Sequence, residues 1–441
     1  MISELKIRNF KSLENVDLKL GHFNLLVGAN ASGKSNFLDA LRFLQGVGSY
    51  GFSLDEILDG RPPSGASQRW PGIRGGSTFA AFRSRRGTQA DKIEFEVGFR
   101  DEDTLAEVGD QLTYKFACTI GGDNSAFSEE SLCSGDTTIV PGTLRYAVEK
   151  VFGELIKGEL APILPKMTLF SLLDGVVRRT LGVEVTNDVK QNDDNLEKLK
   201  LFFQALSNVS EKLADVQFLD PLSSYLRGYS RRVKRMSESG EGFAALIHEI
   251  GSNGDKPALL EWLKELRPDE ISDLYALPGA VNDYMAAVKE GDNEFPASAL
   301  SDGTLRFIAL AAAFFQPSMP KILVIEEIEK GLHPSRLRLL LDLMRSQSKR
   351  TGTQVFATTH SPTLLAWLTE EDRKTTFVCA RDAESGATKM RSLAEIPRFE
   401  ELIQEGSHID ELFAEGWLES APQGVGTCSW FPKTRRTTAI C

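Results

Sequence analysis

Gly28-Ala29-Asn30-Ala31-Ser32-Gly33-Lys34-Ser35 lies between the apolar run Phe23-Asn24-Leu25-Leu26-Val27 and the helix-patterned stretch Asn36-Phe37-Leu38-Asp39-Ala40-Leu41-Arg42-Phe43-Leu44. A strand, a glycine loop and a helix start, in that order, are the context in which GxxxxGK[ST] is a Walker A loop. The glycines let backbone N–H groups curl around phosphate oxygens, and the helix N-terminus adds the positive end of its dipole. In that reading Gly28, Asn30, Ser32, Gly33, Lys34, Ser35 and Asn36 line a nucleotide site. Lys34 reaches the β and γ phosphates, and the Ser35 hydroxyl ligates Mg²⁺. The competing reading is a glycine turn met by chance.

Composition sets wider bounds. The 441 residues, 41% hydrophobic and 26% charged, predict two or three domain-sized units with a core that needs no staples. No apolar run approaches the ~20 residues of a membrane span, and Met1-Ile2-Ser3-Glu4-Leu5-Lys6 lacks the layout of a signal peptide. The expectation is a cytoplasmic protein away from membranes. Five scattered cysteines (Cys118, Cys133, Cys379, Cys428 and Cys441) contain no C-x-x-C pair, so they indicate neither a disulfide framework nor a zinc site. A formal charge of −11 argues against a chain coated in nucleic acid but leaves room for a local basic patch.

Outward from the glycine loop, residues 2 to 27 read as three strands, Ile2 to Asn9, Leu13 to Leu20 and His22 to Val27, forming the edge and centre of a nucleotide-binding sheet. The Gly-, Pro-, Ser- and Arg-rich segment from Gly46 to Gly87 has too few apolar residues for a core and reads as a long functional or mobile loop. Strand alternation resumes in Lys92–Phe99 and Gln111–Ile120, an antiparallel pair. From about Pro141 to Val216 the period turns helical, in Leu144–Ile156, Met167–Leu181 and Asn195–Leu213, without the sustained heptad of a coiled-coil arm. A strand ends at Val216-Gln217-Phe218-Leu219-Asp220-Pro221, and Phe243 to Leu266 reads as helix.

The second informative block opens with Leu300-Ser301-Asp302-Gly303-Thr304-Leu305-Arg306, an N-cap pattern before the apolar helix Phe307 to Phe315. Alone it is a capped core helix. Ile322-Leu323-Val324-Ile325-Glu326-Glu327 then gives an all-apolar strand ending in two acids, the Walker B arrangement, which delivers its last side chains to the sheet edge where phosphates sit. Glu326 would hold Mg²⁺ and Glu327 would polarise the attacking water. Past Gly331-Leu332-His333-Pro334 and a helix from Ser335 to Lys349, the strand Gln354–Thr359 ends in His360-Ser361-Pro362. A histidine there can donate to a γ-phosphate oxygen, or be an ordinary satisfied histidine.

Together these residues resemble the ATP-binding-cassette ATPases of the RecF, SMC and Rad50 type. The resemblance is closest to the compact AAA family branch seen in overcoming-lysogenization-defect nucleases and in ATPase subunits of bacterial anti-phage systems. Leu5-Lys6-Ile7-Arg8-Asn9-Phe10-Lys11, the Walker A loop, the signature Leu300 to Thr304, Walker B, Gly331 to Pro334 and His360 carry it. It implies an α/β P-loop NTPase of the ABC/RecF head type, two lobes with a helical insertion. The chain divides accordingly into an N-terminal lobe (1–140), a helical insertion (141–216), a C-terminal lobe (217–395) and a C-terminal helix with a flexible tail (396–441). It also implies that Ser301, Asp302 and Gly303 face the γ-phosphate on a second protomer, sandwiching ATP in a homodimer or larger even assembly. In that mechanism Lys34, Glu327 and His360 are the catalytic set, with Ser35 and Glu326 as metal ligands and ATP and Mg²⁺ as cofactors.

Three positions depart from the common pattern. Asp302 stands where many transporters have glycine, and an acid near phosphate must point away or cap its own helix. Glu326 replaces the commoner aspartate. For the Mg²⁺-sensing loop glutamine, Gln68 is a candidate beside a plain solvated loop. As partner surfaces, Tyr225, Arg227, Tyr229, Arg231, Arg232, Lys234 and Arg235 combine charge with stacking groups, the ingredients of a DNA contact or of a solvated connection. The arginines from Arg61 to Arg86 contact DNA, contact nucleotide or pack between lobes. The remaining sixty or so residues are too few for a Toprim nuclease, so a separately encoded effector is the expected output. Arg398 to Glu419 packs on the head or docks a partner, and Ala421 to Cys441 is expected to fray.

Overall fold

The computed structural model describes residues 1–49, 52–60, 70–100, 111–120, 125–134, 137–140, 205–266 and 271–420. Two six-stranded sheets and a smaller four-stranded one organise them. The first is antiparallel: β1 (Ile2–Phe10), β2 (Leu13–Lys19), β4 (Lys92–Arg100), β5 (Gln111–Thr119), β6 (Ala126–Ser134) and β7 (Thr137–Val140), in the order β2-β1-β4-β5-β6-β7. The second runs β16-β15-β3-β14-β13-β8, from β3 (Phe23–Val27), β8 (Val216–Leu219), β13 (Ile322–Ile325), β14 (Gln354–Thr359), β15 (Thr376–Arg381) and β16 (Thr388–Ser392). It is parallel except for β16 at its edge.

Only β3 of the first three strands belongs to the nucleotide-binding sheet. The expectation that β1 and β2 join it is corrected: they pair with each other, and β1 pairs with β4. The reason lies in their burial. β1 buries Ile2, Leu5, Ile7 and Phe10 and leaves its other residues partly exposed, the habit of a sheet covered on one face. All five residues of β3 are buried, as a parallel strand covered on both faces requires.

Helix α1 (Lys34–Gly48) is wedged between the two sheets. Phe37 meets Phe356 of β14 at 6.0 Å between ring centroids, while Phe43 meets Phe10, Phe95 and Phe116 of the antiparallel sheet at 5.4–6.1 Å. The helix therefore buries two faces, one against each sheet. On the far face of the parallel sheet, α5 (Asp302–Ala312) and α6 (Pro334–Thr351) build a second core from residues such as Phe307, Ile308, Leu340 and Leu341.

The segment after α1 does carry core residues, against expectation. A capping box between Ser53 and Glu56 opens α2 (Leu54–Asp59), whose Leu54, Ile57 and Leu58 are buried with Trp70 and Ile73. The Trp70 indole N–H donates to Ile57 O at 3.1 Å. The stretch from Phe243 breaks at Gly254, which sits at φ +84° and separates α3 (Phe243–Asn253) from α4 (Lys256–Leu266). Sequence reading also missed the third sheet, β10 (Asp273–Pro278), β11 (Asp283–Glu290) and β12 (Asn293–Pro296), with β9 (Ser230–Arg231) pairing to β11. The expected helices Leu144–Ile156 and Met167–Leu181 and the first part of Asn195–Leu213 lie outside the described residues; residues 205–213 of the last are helical. The acidic segment after Arg398 packs on its own head, burying Phe399, Ile409, Leu412, Phe413 and Leu418.

Truncating the wedge tests this arrangement. Phe43→Ala is expected to cost about 3–5 kcal/mol and to lower the urea midpoint, whereas Phe79→Ala on the surface leaves the midpoint within error.

Candidate nucleotide site

Strand β3 ends at Val27 and the chain turns through Gly28–Gly33 into α1. Two glycines are required by contact. A Cβ at Gly28 would lie 2.3 Å from Cys379 O; at Gly33, which has φ +108°, it would lie 2.0 Å from Thr388 Oγ1. The loop is held by groups from distant segments. Thr388 Oγ1 donates to Ser32 O at 3.1 Å and lies 2.7 Å from Ser12 Oγ, which accepts from Asn36 Nδ2 at 2.6 Å. Lys34 folds back over the loop and donates to Gly28 O at 2.6 Å and to Ala29 O at 2.8 Å.

The loop faces the end of β13. Ser35 Oγ donates to Glu326 Oε1 at 3.0 Å, and a cavity of about 280 Å³ is lined by Asn30, Ser32, Gly33, Lys34, Ser35 and Asn36 together with Glu326, Glu327, Thr358 and Arg381. Gly28 stands behind the loop against Cys379. A hydroxyl beside a carboxylate suits Mg²⁺, which prefers oxygen ligands and takes the rest of its shell from water and phosphate. Among the described residues no cluster of three His, Cys, Asp or Glu would hold a metal unaided. A metal at Ser35 and Glu326 would need further oxygen ligands beyond these two.

Glu327 adopts a left-handed backbone, φ +49°, and its N–H donates to Thr358 Oγ1 at 2.9 Å. This costly conformation for a non-glycine residue re-aims the chain as it leaves β13. His360 is set apart from the cavity lining. Glu329 Oε1 accepts from its backbone N–H at 2.7 Å and lies 2.9 Å from its Nδ1, with the ring 44% exposed. With Nδ1–H on the carboxylate, Nε2 donates only when the imidazole is cationic.

Ser301, Asp302 and Gly303 sit at the start of α5, also outside that cavity. Ser301 caps the helix, its Oγ accepting from the Thr304 N–H at 3.2 Å. Asp302 does not cap; its carboxylate pairs with Arg227 Nη1 at 2.6 Å, and bonds from Arg227 and Ser223 hold it below the usual carboxylate range. Arg227, Arg232 and Arg235 of the basic run are thus committed: Arg232 binds Glu249, and Arg235 binds Asp215. Tyr225, Tyr229, Arg231 and Lys234 remain exposed.

Sequence reasoning missed Arg306 and Asp220. Arg306, in α5, is almost fully buried and donates to Glu326 O at 3.1 Å, Glu327 O at 3.2 Å, Pro221 O at 2.9 Å and Asp220 Oδ1 at 2.9 Å. A charge inside the apolar run Leu305-Arg306-Phe307 was the available signal. Burial pushes the Asp220 carboxyl up, but Lys330 and Arg306 outweigh it and hold it below its ordinary value. Arg74 was noticed only as one of several loop arginines. It bridges Asp39 Oδ1 at 3.0 Å, Glu326 Oε1 at 3.3 Å and Ser35 O at 2.7 Å. Gln68 lies outside the described residues.

The sequence matches the family described as "AAA domain, putative AbiEii toxin, Type IV TA system" over residues 23–115 and 171–366, more than half of the chain. The chain belongs to this AAA-domain family. It is a RecF-like AAA ATPase with an α/β P-loop fold. Curated relatives are an "ATP/GTP phosphatase" of Helicobacter pylori, 23% identical over 86% of this chain and 90% of the relative, and the "DNA replication and repair protein RecF" of Lactobacillus johnsonii, 21% identical over 86% and 97%. Among solved structures, the Smc head domain bound to the C-terminal domain of ScpA from Pyrococcus furiosus matches with a TM-score of 0.45 and 18% identity, over 91% of this chain and 99% of that one. No helix among the described residues of this ATPase is long and apolar enough to cross a membrane.

The depressed Asp220 carboxyl contributes stability above its unfolded value near 3.9 and loses it as pH falls through the lower folded value. Asp220→Asn is therefore expected to be less stable than wild type at pH 7 by about 1 kcal/mol. The gap, followed by thermal melts from pH 7 to 3, should close as the acid limb is crossed.

Proposed function

We propose that this chain binds ATP with Mg²⁺ at the Gly28–Asn36 loop, hydrolyses it to ADP and phosphate, and uses the bound nucleotide to hold two copies together. The observation that carries this is the single cavity that joins Lys34 and Ser35 to Glu326 and Glu327. Lys34 exchanges the loop carbonyls of Gly28 and Ala29 for β- and γ-phosphate oxygens, which are stronger acceptors for its charge. Ser35 and Glu326 hold Mg²⁺, which neutralises charge on the triphosphate. Glu327 accepts the proton of the attacking water, and His360, oriented by Glu329, steadies the γ-phosphate.

Ser301, Asp302 and Gly303 lie outside this cavity, at the exposed start of α5, and that supports their working in trans on the nucleotide of a second copy. The Asp302–Arg227 pair turns the carboxylate toward a cation and so removes the objection to an acid at that point. Arg306 ties α5 to the carbonyls of Glu326 and Glu327, so hydrolysis at one β13 end can be felt at that protomer's own signature helix. The exposed Tyr225, Tyr229, Arg231 and Lys234 are the proposed DNA contact, with a separately encoded effector as output in anti-phage defence in the cytoplasm; the AbiEii description of the family supports this direction. A second reading, a DNA clamp in repair that ATP closes and hydrolysis releases, is favoured by the RecF relatives.

Two variants test the core of this reading. Lys34→Ala is expected to lose nucleotide binding in equilibrium titrations. Glu327→Gln is expected to bind ATP while its turnover falls about 10²–10⁴-fold, and in light scattering it should accumulate an ATP-dependent dimer that duplex DNA strengthens. An assembly state indifferent to ATP in Glu327→Gln would remove the sandwich, and a dimer indifferent to DNA would remove DNA as the gripped ligand. Co-purification with a neighbouring gene's product favours the effector reading over the clamp.

A further inference from the structure

Arg74 stands over the corner of the phosphate cavity where Ser35 meets Glu326. Its Nη1 donates to Glu326 Oε1 at 3.3 Å, the same oxygen that accepts from Ser35 Oγ at 3.0 Å. Its Nη2 donates to Ser35 O at 2.7 Å and its Nε to Asp39 Oδ1 at 3.0 Å. The two residues suited to Mg²⁺ are thus held by one guanidinium. We propose that Arg74 is a positioning residue that occupies Glu326 until Mg²⁺ comes with a triphosphate, so that this corner admits the cation only together with its nucleotide. The inference rests on the Mg²⁺ and ATP reading of the site.

The backbone of this arginine is fixed and its side chain is not. Lys11 Nζ donates to Arg74 O at 2.8 Å and also to the Asp39 carboxylate, while Ile73 N–H donates to Leu58 O at 3.0 Å and Ser77 N–H to Asp59 Oδ1 at 2.7 Å, at the end of α2. Yet 53% of the Arg74 side chain is exposed, against 3% for Asp39. A cavity of about 260 Å³ lies beside it, lined by Asp39, Asp220 and Glu238 as well as Glu326, but by neither Lys34 nor Ser35. Arg74 can therefore leave Glu326 by rotating its side chain into this space, with Asp39 still its partner and the loop unmoved. Charge decides when it does so. A guanidinium is content with the few acceptors it has here, whereas Mg²⁺ gives up its water reluctantly and needs more oxygens than Ser35 and Glu326 offer. Phosphate oxygens make up that deficit, and two cations on one carboxylate repel, so Arg74 yields Glu326 to the metal and nucleotide together.

The test is Mn²⁺ binding to the full chain, read from the paramagnetic resonance signal of the free ion, first without nucleotide and then with ATP. Without nucleotide, Arg74→Gln and Arg74→Met are each expected to bind Mn²⁺ about tenfold or more tightly than wild type, the effect of removing one charge-assisted bond from its ligand. Adding Glu326→Gln to either variant should abolish the gain, which places the ion at Glu326. Equal Mn²⁺ affinity in wild type and both Arg74 variants overturns the proposal, as does a gain that survives Glu326→Gln; in both cases the Mg²⁺ and ATP reading stands. With ATP present, wild type is expected to take up Mn²⁺ that Lys34→Ala does not. If the two take up the same amount, the Mg²⁺ and ATP reading falls and the role of Arg74 with it.

Discussion

The buried guanidinium of Arg306 is the constraint to which the rest of the site is fitted. Removing such a charge from water is costly, and the cost is met only when its donors are satisfied by well-placed acceptors. Here Nη1 meets the Pro221 carbonyl and the Asp220 carboxylate and Nη2 the carbonyls of Glu326 and Glu327, drawn from two strand ends of the parallel sheet, while the buried Nε has no partner. The signature helix, β8 and β13 are therefore not free to move past one another independently. Any shift of the β13 end must be followed by α5 or leave a buried charge short of partners. In a proposed dimer, in which that helix meets the other copy's nucleotide, this is a direct mechanical link between chemistry and assembly.

The phosphate loop is under a comparable constraint from the opposite side. Its two glycines stand where the Cys379 carbonyl and the Thr388 side chain leave no room for a Cβ, and Thr388 and Ser12 hold Ser32 and Asn36 in register. Thr388 and Ser12 lie outside the segments that match the family, yet they set the curvature of the loop inside it. Helix α1 transmits the antiparallel sheet to the same point, because Phe43 on one face and Phe37 on the other are fixed by different sheets. The loop is thus positioned by three separate parts of the chain and can be rigid although six consecutive residues of it have no regular structure.

The polar pairs around the cavity show where charge is held and where it is offered. Arg74 spans Asp39 and Glu326. Although its own burial disfavours the charge, those two carboxylates raise its proton affinity. Asp302 is neutralised by Arg227, and Arg232 and Arg235 are likewise paired with carboxylates, Arg232 at the surface. A basic run in sequence is consequently a much sparser positive surface in space, and the exposed tyrosines contribute as much to its character as the charges do.

The sequence by itself determined the glycine loop, the acid-ended strand, the Ser301-capped helix and the His360 strand end. Each is written in residues adjacent along the chain: an apolar run that must be a doubly covered strand, glycines that must turn, a serine that satisfies its own helix. The short range of those forces makes them readable without neighbours. The same logic was available but unread in Ser53–Glu56, a capping box inside a segment taken for loop, and in the alternation of β1, which marks a one-sided sheet. Only the tertiary structure decided which sheet β1 and β2 join, that Arg306 meets Asp220, that Thr388 closes on Gly33, and that Arg74 reaches Glu326. These are contacts between residues tens to hundreds of positions apart, and a side chain's identity says what kind of partner it needs but not which of the many suitable ones the packed core will bring to it.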